Sequence, residues 1–307
     1  MLKRWGAFLL CLVTVLSFSA CSSNQSSDSQ TSTTEASKLK VSVTFNAMKE
    51  FTEAVGGDKV EISTIIPDGT EPHDFEPTAQ DLVGLSSADV FVYNGFGMET
   101  WVDDAVAAAN NKNLITVEAS SGATPITNTD EGEIAEHGQY DPHIWLSLKG
   151  AETEVTNIKE ALVNADPANT DYYETNCTEF ISQLESLYSE YQEKFDSVDK
   201  KSFVTGHAAF AYFCRDFGLT QNSVEDVFAE GEPSAQQLTE LVSYCKENKV
   251  TTVFAEKMAS PEVSQTLADE VGAQVETIYT IESAEDNLTY LERMEDNLNI
   301  IYSSLAD

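Results

Sequence analysis

Four histidines occur in the 307 residues, at positions 73, 137, 143 and 207. Three of them sit in short, turn-like stretches. His73 lies in Gly69-Thr-Glu-Pro-His-Asp-Phe-Glu-Pro77, directly after a β-branched run. His143 lies in Tyr140-Asp-Pro-His-Ile-Trp-Leu-Ser147, where Asp-Pro opens a turn. His207 follows Ser202-Phe-Val-Thr205 and begins His207-Ala-Ala-Phe-Ala-Tyr212. Imidazole titrates near neutrality and is the commonest side-chain ligand of metals. One isolated histidine is more often a hydrogen-bonded structural residue than a ligand. Three, spread over strand ends and turns, can converge on one cleft, because ligands of open α/β sheets bind beyond the carboxyl ends of strands. The chemistry suggested is metal binding by His73, His143 and His207.

Other chemistries lack their residues. No His-Glu-x-x-His, Gly-x-Ser-x-Gly or Walker A sequence is present. Gly95-Phe-Gly97 is followed by Thr100 where a dinucleotide fingerprint needs its third glycine. Glu256, in Val253-Phe-Ala-Glu-Lys257, ends a strand-like run and reads as a supporting acid. It is also the one general base available to a zinc hydrolase, an alternative that would need an open water position on the metal. Acidic residues outnumber basic ones 52 to 17, a formal net charge of −35. That field repels phosphate backbones and excludes a nucleic-acid partner. The acidic stretch at residues 127–140, which contains His137, reads as a solvated loop.

The elements that must position these residues follow from apolar patterning. Residues 39–45, 60–66, 90–93 and 114–117 read as strands with helical patterns between them. A second series follows at 202–205, 251–254 and 275–279, with helices near 208–217 and 287–305. Strands alternating with helices predict parallel sheets. Between the series, apolar residues from Tyr173 through Cys177, Phe180, Ile181, Leu184, Leu187, Tyr188 and Tyr191 to Phe195 keep helical spacing. A helix over residues 170–197, about 40 Å long, has no Gly or Pro to break it. The expected fold is two α/β lobes with parallel sheets joined by one long rigid helix. The divisions fall at 39–168, 169–199 and 200–307.

Residues 1–20 read as a signal peptide, with Lys3 and Arg4 before an apolar run at 7–16. Phe18-Ser-Ala-Cys21 resembles a bacterial lipobox with Phe where Leu is usual, which makes Cys21 the lipidated mature N-terminus. Residues 21–38 are Ser- and Thr-rich, a flexible tether. Cys177, Cys214 and Cys245 remain in the body, an odd set with no Cys-x-x-Cys spacing. They read as buried small hydrophobes, one disulfide among them being open.

Ile66-Pro-Asp-Gly-Thr-Glu-Pro-His-Asp-Phe-Glu-Pro-Thr78, Ala88-Asp-Val-Phe-Val-Tyr-Asn-Gly95 and Met98-Glu-Thr-Trp101 resemble the N-terminal lobe of the metal-binding lipoproteins of zinc and manganese ABC importers, the cluster A-I family. Asp141-Pro-His-Ile-Trp145 and Gly206-His-Ala-Ala-Phe210 are similar to its second and third ligand segments, and the resemblance spans residues 39–305. It implies metal held between the lobes by His73, His143 and His207 and delivered to an ABC permease and its ATPase. It also implies a carboxylate ligand after the final strand. In Ile278-Tyr-Thr-Ile-Glu-Ser-Ala-Glu-Asp286, Glu282 matches best, with Glu285 and Asp286 as alternatives. Manganese members carry a carboxylate at the position of His207, so the resemblance implies Zn²⁺ as transported ligand, with Mn²⁺ the alternative. A non-enzymatic, monomeric, lipid-anchored receptor on the outer face of a bacterial membrane is expected. A surface adhesin is the reading from another class.

Overall fold

β-Branched and aromatic residues at strand spacing build two four-stranded, all-parallel sheets. The computed structural model describes residues 37–128, 134, 138–227, 234–257 and 262–306. In the first sheet β1 (Leu39–Val43), β2 (Val60–Thr64), β3 (Val90–Tyr93) and β4 (Ile115–Glu118) run in the order β2-β1-β3-β4. In the second, β5 (Ser202–Thr205), β6 (Thr220–Ser223), β7 (Thr252–Glu256) and β8 (Gln274–Ile278) repeat that order as β6-β5-β7-β8. Each sheet therefore reverses its winding between its first and third strands, which opens a crevice beyond their carboxyl ends.

The helices of the first series are α1 (Asn46–Gly56), α2 (Val102–Ala109) and α3 (Leu148–Ala165). Then come α4 (Thr170–Asp196), α5 (Ala211–Phe217), α6 (Ala235–Asn248), α7 (Glu262–Val271) and α8 (Tyr290–Ala306). The 27 residues of α4 bury Tyr173, Cys177, Leu184, Tyr191 and Phe195 along one stripe. That stripe packs on α1 and α3 beside the first sheet and on α5 and α8 beside the second. The apolar core is correspondingly continuous: Val41, Val43, Val90 and Val92 join Phe203, Phe254 and Ile278 in one buried cluster. Cys177, Cys214 and Cys245 are all buried and free. They act as small core side chains, and no disulfide links them.

Three differences from the patterned expectation have local causes. β6 is Thr-Gln-Asn-Ser, with no apolar residue to signal it; backbone pairing to β5 alone makes it an edge strand. α5 starts at Ala211, later than expected, because Ala208 N–H and Phe210 N–H donate to Asp226 O (3.1 Å) and Gln221 Oε1 (2.8 Å). α8 starts at Tyr290 because Asp286 and Asn287 adopt left-handed φ of 55° and 56°, which a right-handed helix cannot contain. The signal segment, Cys21, nearly all of the tether and His137 lie outside the described residues. No helix among the described residues is long and apolar enough to cross a membrane.

One core position breaks the apolar rule. Glu154, on α3, is fully buried, and neither carboxyl oxygen has a hydrogen-bond partner among the described residues. Burial, then the neighbouring Glu99, pushes its pKa well above 4.5. The folded chain thus holds a proton that the unfolded chain releases. That contribution is fully present below the unfolded pKa and is lost as pH rises towards the folded one. Glu154→Gln should consequently stabilise the protein increasingly from about pH 5 to 8, by up to about 1.4 kcal/mol per pH unit. Urea midpoints of both proteins at the two ends of this range measure it, and parallel pH profiles would refute the buried proton.

Candidate metal centre

The sequence from Asp141 to His143 folds into a self-contained clamp. Asp141 Oδ1 accepts both the backbone N–H of His143 and its ring Nδ1–H, each at 2.9 Å. With Nδ1 engaged, Nε2 is the nitrogen left to face outward from the loop. The clamp is anchored from two directions. Tyr212 OH donates to Asp141 O at 2.6 Å, and Asn94 Nδ2 donates to Pro142 O at 3.0 Å. Sequence reading took Asp141 only as a turn former. Its spacing two residues before a histidine was the signal for a ring-orienting carboxylate.

His207 sits at the crevice of the second sheet, just past β5. Its backbone N–H donates to Glu256 Oε1 (2.9 Å) at the end of β7, so the two residues span the winding reversal. A Cβ at position 206 would lie 2.3 Å from Glu256 Oε2, so Gly206 leaves that carboxyl room against the turn. The His207 carbonyl accepts from Gln221 Nε2 at 2.8 Å, and its ring Nε2 lies 2.8 Å from Val227 O.

His73 and Glu282 arrive on two loops that are tied together. After β2 the chain turns at Gly69, whose φ of 81° suits glycine. Gly69 N–H donates to Ser283 Oγ (2.9 Å) and Ala284 N–H donates to Asp68 Oδ1 (3.1 Å), which joins this loop to residues 281–286. On that second loop, Ile281 takes a left-handed φ of 61°, and Thr280 Oγ1 donates to Glu282 Oε2 at 2.8 Å. Glu282 Oε1 is left 3.7 Å from His73 Nε2 and 3.8 Å from His143 Nε2.

These loops bring the three histidines together. His73 Nε2 and His143 Nε2 are 3.1 Å apart. Ring centroids are 4.9 Å apart for His73–His143, 5.5 Å for His73–His207 and 4.7 Å for His143–His207. One ring nitrogen from each can be chosen so that all three lie within 4.8 Å of one another. Of the three acids considered after β8, Glu282 faces the imidazoles. Glu285 is buried with Oε2 3.9 Å from Arg293. Asp286 pairs with Lys257 and accepts from Tyr279 OH at 2.9 Å. A second set of possible ligands, Glu71, His73 and Glu282, overlaps the first. Glu71 escaped sequence reading because nothing in its type or spacing separated it from other acids of an acidic chain.

Electrostatics within the group are asymmetric. Burial alone would lower the pKa of His73, but Glu282, then Glu71 and Asp141, outweigh it and raise it above 6.5. Glu282 is the reciprocal case: burial would raise it, yet His73 first and then His207 and His143 bring it to about 2. His207 is lowered to about 3 by burial and by the neighbouring His143. Glu256 is raised to about 8 by burial, against the His207 N–H that it accepts.

Three buried imidazoles and one carboxylate form a donor set suited to a borderline-soft divalent cation. Comparison with known proteins agrees with that chemistry. ZnuA, the high-affinity zinc uptake system protein of Bacillus subtilis (strain 168), is 36% identical over 318 aligned positions, covering 99% of each chain. A solved zinc-bound deletion mutant of ZnuA superposes with a TM-score of 0.78 at 32% identity, over 88% of this chain and 99% of that one. The laminin-binding protein Lmb of Streptococcus agalactiae, described as bifunctional with adhesin and metal transporting activity, gives a TM-score of 0.80 at 34% identity, over 88% of this chain and 100% of that one. A family model for the periplasmic zinc-uptake complex component A matches residues 41–304, and this chain belongs to that family.

Proposed function

We propose that the chain captures Zn²⁺ outside the cytoplasmic membrane and hands it to the permease of an ABC importer, with His73, His143, His207 and Glu282 as the four ligands. The observation that carries this reading is the 3.1 Å separation of His73 Nε2 and His143 Nε2, with His207 and Glu282 beside them. Tetrahedral zinc with nitrogen at 2.0–2.1 Å sets an edge of about 3.3 Å between donors, so these two imidazoles already stand close to a bound geometry. Three nitrogens and one carboxylate favour Zn²⁺ over Mn²⁺, which prefers more oxygen and higher coordination. The ion lies between a first lobe at 39–168 and a second at 200–307, bridged by the helix region 169–199. Cys21 carries the lipid, and residues 21–38 tether a monomeric body to the membrane.

Zinc is cargo here, not a catalyst. Four protein donors leave no open position for a reacting water. Glu256, the base that the sequence offered, is engaged by the His207 backbone, and a carboxyl with a pKa of about 8 is protonated at neutrality. The adhesin reading draws on the description of Lmb. Among the described residues Val83, 57% exposed, is the one large apolar side chain that is exposed rather than half-buried, and nothing there favours an apolar adhesive patch.

Three measurements test the proposal. His143→Ala should weaken zinc binding more than Glu282→Ala, because water can replace a carboxylate at an open zinc position; Asp286→Ala should bind like wild type. An Asp286→Ala protein that loses zinc while Glu282→Ala keeps it would reverse the ligand choice. In equilibrium competition the purified protein should retain Zn²⁺ over Mn²⁺, and equal or stronger Mn²⁺ retention would overturn the zinc assignment. Proton linkage has a definite sign as well. His73 keeps its proton to higher pH than an ordinary imidazole in the metal-free protein, so zinc competes with that proton, and affinity falls as pH drops through the raised pKa. His207, held at about 3, adds nothing until far lower. Calorimetry in buffers of different protonation enthalpy should show proton release on zinc binding that grows as pH falls from the alkaline side towards the raised pKa of His73; release of none at any pH would remove His73 from the site.

A further inference from the structure

We propose that Glu71, with His73 and Glu282, forms an outer station at the mouth of the site, where Zn²⁺ is taken from solvent before it passes to the buried imidazoles. The inference rests on the zinc reading above and concerns the route of the ion, not its final ligands. Glu71, His73 and Glu282 each offer one ligand atom, and the three atoms lie within 4.8 Å of one another. Two of these three residues belong equally to the inner set.

Burial gives the direction of travel. Glu71 is exposed. The side chains of His73 and Glu282 are 1% and 9% exposed, and that of His143 is 0%. His207 is also buried. An ion arriving from water therefore meets Glu71 first and the second pair of imidazoles last. Glu71 is held in place for this role. It stands two residues before His73, and its Oε1 accepts the His73 backbone N–H at 3.1 Å. A carboxylate has about four lone-pair sites, so this bond leaves acceptor capacity for a cation.

Glu282 supplies the hinge of the exchange. Its buried Oε1 has no partner within hydrogen-bonding distance among the described residues, while the imidazole nitrogens of His73 and His143 lie 3.7 and 3.8 Å away. One oxygen can thus serve an ion in either set. In the outer station two carboxylates and one imidazole offset the whole double charge of a partly hydrated Zn²⁺ once the ion has displaced the proton that burial and Glu282 let Glu71 keep up to about pH 7. Moving inward, the ion gives up Glu71 and its remaining waters and gains His143 and His207. His73 and Glu282 stay bound throughout, so the ion is never stripped to bare coordination. The reverse path uses the same station on release.

A residue on the path changes both rates and leaves the equilibrium alone, because capture and release share the step it assists. Stopped-flow association of Zn²⁺ with the intact chain, and dissociation into an excess chelator, test this with Glu71→Gln, which keeps the acceptor for the His73 N–H. Both rates should fall on the order of tenfold, while their ratio, Kd, stays within about twofold of wild type. Asp74→Asn, an exposed acid in the same loop, should leave both rates unchanged. Unchanged rates in Glu71→Gln would overturn the proposal. So would equal slowing by Asp74→Asn, which would mean a general field. A weaker Kd carried by faster dissociation alone would make Glu71 a resident ligand and equally sink it. Failure of the zinc reading itself would show separately, as wild type that binds no zinc or His143→Ala that binds normally.

Discussion

A guanidinium removed from water must find partners, and the position of Glu282 depends on how Arg293 finds them. Arg293, on α8, is fully buried. It pairs with Glu50 of α1, donates from one terminal nitrogen to Ser283 O at 2.7 Å, and lies 3.9 Å from Glu285. An unpaired charge at such a position would be destabilising by several kcal/mol, so the helix of one sheet layer, the last helix and the loop after β8 are obliged to meet there. Glu50 adds bonds from Tyr290 N–H and Asn46 Nδ2, and Asn46 N–H reaches the carbonyl of Glu282 itself at 3.4 Å. The carboxylate that faces three imidazoles is thereby fixed by a network that never touches the imidazoles.

The same logic of indirect support runs through the site. His143 is oriented by Asp141, Asp141 by Tyr212, and Tyr212 belongs to α5 of the second layer. His207 is set by Glu256 from a neighbouring strand. Because the apolar core continues from the first sheet to the second, with α4 packed along both, these supports share one rigid frame. In the metal-free protein His73 is raised and Glu282 lowered because each, 3.7 Å from the other, favours the other's charged form. When zinc displaces the His73 proton, a double positive charge replaces a single one, and Glu282 already stands beside it to offset half.

Much of this architecture was legible in the amino-acid sequence, for reasons of periodicity. A buried parallel strand such as Val90–Tyr93 must be apolar on both faces, and a helix packed along one side, such as Thr170–Asp196, must repeat its apolar residues every three or four positions. Both conditions leave marks that need no partner to read. His73, His143 and His207 were visible as a set because a scarce residue type recurred at strand ends and turns. β6 left no mark, since an edge strand of polar residues is defined by the neighbour it pairs with.

What tertiary structure alone decided is the aim of polar side chains. Glu282, Glu285 and Asp286 are nearly indistinguishable in sequence, three acids within five residues. The left-handed turn at Ile281, the Ser283 bridge to Gly69, and the demands of Arg293 and Lys257 send one towards the histidines, one towards a guanidinium and one to the surface. Asp141 and Glu71 acquired their places in the same way. Apolar burial is a property each residue carries with it, but the direction of a carboxylate is set by long-range hydrogen bonds and backbone dihedrals. Those exist only once distant segments have met.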